Sequence, residues 1–438
     1  MKKLLPFVLV ALVFQGCLKD KHSEKRTYIA NSPIYMTYDE LANSIKIEEP
    51  RELCTPRKVY ATGSYLYINE LQKGIHVIDN SDPRNPKNIA FINVPGNVDI
   101  TANGNYLYVD SYSDLVTFDV SDVNTIKEVC RESKVFEYIL PPHNPEYPIA
   151  LIDPDKGVVS GWEVMEVTET CVNGDCGQLY DVNFNTERLV LNDQAFAEAG
   201  GGLQVGKMEG VSVAGSMSRF MIYDSNLYAI SSASDVAIFN VSDASCPSKS
   251  SEVEMQLGIE TLFSYGENLF VGAETGMFIY DMSNPEKPEY VSTFEHVQSC
   301  DPVVVYDDKA YVTTRGTNEC GGWVNQLDVV DISDINNPES IAEYWMNEPY
   351  GLGIDGQNDV LFVCDGAAGV KIFTDITGDV NSGWISDNDY TISNNGYDVI
   401  PINGQLIVIG DDGLYQYDYS NLDNIQLLSM IAVGQCEE

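Results

Sequence analysis

LVTFDVSD, at Leu115–Asp122, decides the fold, because the chain keeps writing it again. The same phrase stands at Ile75–Asp82 (IHVIDNSD), Val236–Asp243 (VAIFNVSD), Met277–Asn284 (MFIYDMSN) and Leu327–Asp334 (LDVVDISD). Looser copies are Val370–Thr377 (VKIFTDIT), with Thr374 where the acidic residue should be, and Leu414–Asn421 (LYQYDYSN). Apart from one long gap they recur at roughly 40–50 residues, the period of a β-propeller blade.

Working outward from each copy gives a four-stranded unit. Just upstream lies a second apolar strand, such as Tyr65–Ile68, Tyr106–Val109 or Leu361–Cys364. Before it comes a third, such as Arg57–Ala61 or Val303–Tyr306, joined by a polar turn like Ala102-Asn103-Gly104-Asn105. Asn, Asp and Gly there supply the left-handed backbone that tight hairpins require. After the phrase comes a Pro-containing loop and a fourth strand, for example Ile89–Val94 or Tyr290–Phe294. Strands apolar on both faces belong between neighbouring sheets, and radial closure protects their edges. The expected fold is therefore all-β, a β-propeller of about seven four-stranded blades. The blades begin near Arg57, Asn97, Arg219, Ile259, Pro302, Tyr350 and Gly396, with a long insertion between blades two and three. The recurring Asp-x-Ser is expected to cap the turn leaving the third strand, by bonding nearby backbone amides.

The phrase resembles the LVIVD repeat, named for this strand and found in secreted and surface proteins of bacteria and archaea. The resemblance runs from Arg57 to Gly434, interrupted by the insertion. It implies a propeller and brings no activity or catalytic residues with it. WD40 and kelch repeats fit less well, since neither a Trp-Asp ending nor paired glycines recur.

The N-terminus reads as a secretion signal over residues 1–16, with Lys2 and Lys3 ahead of the apolar Leu4–Phe14. That apolar stretch is too short to span a bilayer as a helix. Gly16-Cys17 at its end resembles a bacterial lipobox, which makes Cys17 the lipidated residue of an outer-membrane lipoprotein. Residues 17–45 read as that cysteine and a tether, and 46–438 as the propeller. Leu18-Lys19-Asp20-Lys21 suits the periplasmic or the outer face alike. The lipid is the expected membrane contact. A formal charge of −41 disfavours nucleic acid and anionic membrane as partners, and leaves weak divalent-cation binding as the one cofactor-like expectation.

Nine cysteines remain after Cys17, which in an exported protein read first as disulfides. Cys171 and Cys176 flank a turn sequence. Cys300 precedes an inner strand, and Cys320 follows its hairpin partner. Cys54 precedes the first inner strand and Cys436 follows the last outer one, points that meet in a closed ring. Cys130, Cys246 and Cys364 have no evident partner. Zinc is disfavoured, since no Cys-x-x-Cys occurs and there are only four histidines.

The insertion, residues 135–218, is far longer than an ordinary connection and reads as a long hairpin with a mobile flap. With the loop Arg315–Asn325, which contains Trp323, it leaves the face where inner strands begin. Long loops gathered on one face of a repeat scaffold are where function sits. Residues starting the inner strands ring the channel mouth: Arg57, Asp99, Arg219, Glu260, Asp301, Tyr350 and Tyr397. This set suits a polar ligand, or equally a ring of charges that satisfy one another. Trp162 and Trp323 are the aromatic candidates of an open binding surface. No histidine triad, phosphate loop or calcium loop is present, and no carboxylate pair stands out. The leading expectation is a non-catalytic binding propeller for an extracellular protein or glycan. The alternative is a carboxylate-based hydrolase or lyase acting on a polysaccharide.

Overall fold

A computed structural model describes residues 23–138, 140–172, 212–214, 218–295, 302–316, 324–376 and 396–436. It is a seven-bladed β-propeller. The inner strands are Pro56–Thr62, Ile100–Asn103, Phe220–Tyr223, Ile259–Tyr265, Val303–Tyr306, Leu352–Asp355 and Gly396–Ile402. Each touches the next around the ring, and the last touches the first. Within a blade, consecutive strands pair antiparallel from the channel outward. Blade 6 shows three strands among the described residues.

The core is a set of layers between blades rather than one central mass. Blades 1 and 2 share one apolar cluster, 2 and 3 another, 6 and 7 another, and 7 and 1 close the circle. One position recurs from layer to layer. Tyr67, Tyr108, Tyr228, Phe270, Tyr311 and Phe362 occupy the same place in the second strands of blades 1 to 6, and all are buried. Several hydroxyls reach across to the next blade. Tyr108 donates to the Ala244 carbonyl (2.8 Å), Tyr228 to that of Pro285 and Tyr311 to that of Ile376 (2.6 Å). A buried phenol needs such a partner, so each bond also fixes one blade against its neighbour.

The repeated Asp-x-Ser behaves as its chemistry requires. In six blades the acidic or amide side chain accepts the serine amide two residues on, at 2.6–3.0 Å (Asp79, Asp119, Asn240, Asp281, Asp331, Asp418). A second turn of the same kind follows directly at Asp82, Asp122, Asp243, Asn284, Asp334 and Asn421, at 3.0–3.3 Å. Blade 6 has Thr374 at the first of these positions, and its second, Thr377, lies outside the described residues.

The four strands of blade 1 all come from the N-terminal side of the closure and those of blade 7 from the C-terminal side, so no strand is exchanged across it. The seam is held instead by the Cys54–Cys436 disulfide, with Cα atoms 5.7 Å apart, and a parallel bridge between Leu53 and Val433. Cys130 and Cys246, unassigned from sequence, bond the outer strand of blade 2 to the outer loop of blade 3. Cys364 is free and buried. Of the expected Cys171–Cys176 and Cys300–Cys320 bridges, Cys176, Cys300 and Cys320 lie outside the described residues.

Two expectations do not hold. From Ser23 onward, the segment read as a tether is an ordered strand, Ser23–Met36. The insertion does not fold back on itself as a hairpin in its described part. Its strand Val158–Val172 pairs instead with Ser23–Met36, from Ser23 opposite Val172 to Met36 opposite Val158. The physical reason is mutual. Each strand alone is too polar to bury, and pairing satisfies the backbone of both while setting Arg26 opposite Glu169. Buried Asn31 pins this ribbon, giving its side-chain amide to the carbonyls of Asn144 (2.9 Å) and Tyr147 (2.7 Å) and accepting the Asn144 amide (3.1 Å). Helix Tyr38–Ser44 follows, closed by a Thr37–Glu40 capping box, and packs Leu41 with Val158 and Tyr112. The returning limb adds a short strand, Ser212–Ala214, to the channel side of Pro56–Thr62. The expected flap lies outside the described residues. No described helix is long and apolar enough to cross a membrane.

Candidate functional site

The mouth residues fall into two groups on the face where inner strands begin. The first joins blades 1, 2 and 3. Lys58 Nζ lies 3.0 Å from Asp99 Oδ2, which also accepts the Arg219 amide at 2.6 Å. Asp110 Oδ1 accepts the amides of Val98 and Asp99, both at 2.8 Å, and the Asn97 side chain at 2.9 Å. Lys58, Asp99 and Asp110 are buried and Arg219 is half-buried, so two cations and two carboxylates cluster largely out of water. Burial pushes Asp110 up to about 6, against the amide bonds that favour its charge. Burial also pulls Lys58 and Arg219 below their ordinary values, against the attraction of the aspartates.

The second group joins blades 1, 7, 6 and 5. The Arg57 guanidinium stands over the Tyr397 ring at 5.1 Å, and that ring meets Tyr350 edge-on at 6.0 Å. Arg315 lies against Tyr350 at 4.2 Å, and the Tyr350 hydroxyl donates to Glu348 at 2.9 Å. Burial, helped by the neighbouring Glu348, pushes this phenol up to about 12 despite Arg315. It stays a neutral donor through the physiological range.

Arg57, Asp99, Arg219, Tyr350 and Tyr397 therefore come together in these two groups. Glu260 is half-buried at the start of the inner strand of blade 4. Asp301 and Trp323 lie outside the described residues. Trp162 belongs to the ribbon, where its indole donates to the Pro141 carbonyl at 2.7 Å and its ring meets His143.

Sequence reasoning missed Lys58, Asp110, Glu70 and Asp365. Lys58 is a register error of one residue beside Arg57. The other three stand at the ends of second strands, which reach the same face as the inner-strand starts. All three act alike there, since each carboxylate accepts two backbone amides from the segment entering its own inner strand. Glu70 takes Cys54 (3.1 Å) and Thr55 (2.6 Å), Asp110 takes Val98 and Asp99, and Asp365 takes Asn347 and Glu348, both at 2.8 Å. Burial alone would raise Glu70, but His76 at 2.8 Å and the two amides hold it down at about 2. An acidic residue ending the second strand in blades 1, 2 and 6 was the readable signal.

Chemically, the acids of this mouth are occupied. Among the described residues, Glu70, Asp99, Asp110 and Asp365 are bound to amides and cations rather than facing one another across a cleft. A hollow between blades 2 and 3, beside Asp110, Tyr112, Glu137, Tyr138 and Arg219, has room for about one water. No group of three potential metal ligands occurs among the described residues.

These features define a seven-bladed propeller whose mouth buries a Lys58–Asp99 ion pair and the amide-bound Asp110. The chain carries LVIVD repeats: the model of that repeat matches residues 56–91 and 96–131, which are blades 1 and 2. Blades 3, 4, 5 and 7 repeat the same turn chemistry outside the matched residues. Among solved structures, the chain is similar to the periplasmic gluconolactonase PpgL of Pseudomonas aeruginosa. There the TM-score is 0.51 at 10% identity, over 87% of this chain and 98% of that one. It is also similar to BamB of Moraxella catarrhalis, with TM-score 0.43 and 11% identity over 81% and 79% of the two chains. At 10% identity the likeness to the gluconolactonase is one of fold alone. No curated protein matches in sequence.

Proposed function

We propose that the protein is a non-catalytic binding propeller, lipid-anchored through Cys17 at the bacterial outer membrane, that holds an extracellular partner on its ribbon face. One observation carries the reading: the buried carboxylates Asp99 and Asp110 of the mouth are taken up by amides and a lysine, whereas the ribbon leaves apolar side chains uncovered. Isolated two-stranded ribbons are marginal in water. This one nonetheless displays apolar side chains on both faces, Ile29 and Val164 on one and Ile34 and Met165 on the other, each between 42% and 53% exposed. Neighbouring Glu163 and Glu166 are exposed as well. Exposed apolar residues that include Met165 fit a protein partner better than a glycan.

The test is capture from envelope extracts and from a glycan array, using wild type, Val164→Asp/Met165→Asp and Arg57→Ala/Tyr350→Ala. Loss of one defined protein with the ribbon variant, and retention with the mouth variant, supports the reading. Retention by the ribbon variant, or turnover of a polysaccharide that the mouth variant abolishes, refutes it.

A further inference from the structure

The inner strands enter the ring in two ways. In blades 2, 3, 5 and 6 they pair with their second strands without a slip. In blades 1, 4 and 7 the register breaks at the mouth end, between Pro56 and Val59, Ile259 and Thr261, and Gly396 and Asp398. The residues left out of the ladder are Arg57 with Lys58, Glu260, and Tyr397. An extra residue in one strand re-aims its side chain, a device common beside functional sites.

Blades 1 and 7 are neighbours across the closure, so two of the three breaks meet there. Lys58 turns to blade 2 and is taken by Asp99 at 3.0 Å. Arg57 turns the other way, and its guanidinium lies 5.1 Å from the centre of the Tyr397 ring. What Arg57 lacks is an acid. Lys58 has Asp99, Arg315 has Glu348 at 3.9 Å and Lys371 has Asp365 at 2.8 Å. Arg57 makes no ion pair or hydrogen bond among the described residues, and its Nε is buried without a partner. In a chain with 66 acidic and 25 basic residues, a half-buried guanidinium without a carboxylate stands out. A buried donor left unpaired costs free energy, which the Tyr397 face only partly offsets.

We infer that Arg57 is the binding site for a small carboxylate, at the junction of blades 1 and 7 in the mouth. A carboxylate meets the planar guanidinium fork with two parallel hydrogen bonds. The charge of the chain selects among anions, since a net charge of −41 penalises a dianion such as phosphate more than a monoanion. The buried Tyr397 ring holds the fork in place before the ligand arrives. This site goes beyond capture on the ribbon, because it takes a small anion and uses no residue of 23–36 or 158–172.

The experiment is calorimetric titration of the full, detergent-solubilised chain with sodium acetate, sodium glucuronate, inorganic phosphate and glucose. Wild type should bind acetate and glucuronate saturably and glucose not at all. Tighter binding of glucuronate marks a sugar acid, and equal binding marks the carboxylate alone; both support the site. Arg57→Ala and Arg57→Gln should each weaken carboxylate binding about tenfold or more. Arg57→Gln keeps the bulk against Tyr397, so the loss is readable even where Arg57→Ala melts early. Arg51→Ala, which removes the guanidinium over the Phe91 ring, should bind as wild type does. The ribbon variant Val164→Asp/Met165→Asp should also bind as wild type, so the two proposals fail separately. Wild type that binds no carboxylate, or that binds phosphate or glucose as tightly, overturns the inference. So does wild-type carboxylate affinity in an Arg57→Gln protein that melts normally.

Discussion

The two faces of the ring solve the same problem in opposite ways. On one, first-to-second-strand turns and Asx loops repeat almost blade by blade, and each is closed by bonds within a few residues. On the other, elements find distant partners. The ribbon joins residue 23 to residue 172, buried carboxylates end one strand to hold the entry of another, and Ser212–Ala214 crosses to blade 1. The first face is local chemistry copied many times. The second is assembled once, and there the molecule exposes apolar residues it does not bury. Repetition builds the scaffold, and the departures from it gather the buried charges and the uncovered apolar side chains.

The largest effect is expected at the seam, where a long-range contact replaces a repeated one. Cys54→Ser removes the one covalent link across a closure that has no exchanged strand. It should cost about 2–5 kcal/mol in denaturant unfolding. Cys130→Ser should cost less, because that bridge spans 116 residues rather than 382.

Next in size is Glu70→Gln, which removes the charge and one of the two buried acceptor oxygens that hold His76 and two amides, and should cost about 2–3 kcal/mol. Its pH signature has a definite sign. A carboxylate held at about 2, against an ordinary 4.5, stabilises the fold above about 4.5, and that stability is lost as pH falls toward 2. Wild type should therefore lose its advantage over Glu70→Gln across that window in acid melts. Asp110 runs the other way. Raised to about 6, its stabilising form is the protonated one, and that contribution disappears as pH rises from about 4 through 6. Relative to Asp110→Asn, wild type should thus gain stability on acidification from pH 6 to 4.

Asn31→Ala should cost about 1–3 kcal/mol, confined to the ribbon. Hydrogen exchange should speed up in 23–36 and 158–170 while the blades stay protected. The smallest effect belongs to a single Asx turn. Asp331→Ala should lower the melting temperature less than Glu70→Gln does, since its counterparts in the other blades are untouched.

The legible part of the sequence was the part whose causes are local. LVTFDVSD declares a strand and its turn in eight residues. Positive backbone angles at Asn403 and Gly404 (+51° and +79°) fall where the polar turns were expected. The pairing of Cys54 with Cys436 followed from ring closure alone. The ribbon was illegible because Ser23–Met36 finds its partner more than a hundred residues away, and neither strand has an alternation that demands burial. Cys130 and Cys246 were left unpaired because their meeting depends on the rim contact between blades 2 and 3. The mouth was half legible. Arg57, Asp99, Arg219, Tyr350 and Tyr397 were found by reading inner-strand starts, whereas Asp110, Glu70 and Asp365 sit at the ends of second strands, which went unread.

The most direct measurement compares partner capture by Asn31→Ala, which loosens the ribbon, with capture by Arg57→Ala/Tyr350→Ala, which disrupts the mouth. Both should retain the wild-type far-UV spectrum of the ring. Weakened capture by the first and wild-type capture by the second is the predicted result. Wild-type capture by the first and loss by the second would place recognition at the channel mouth and overturn the ribbon's role.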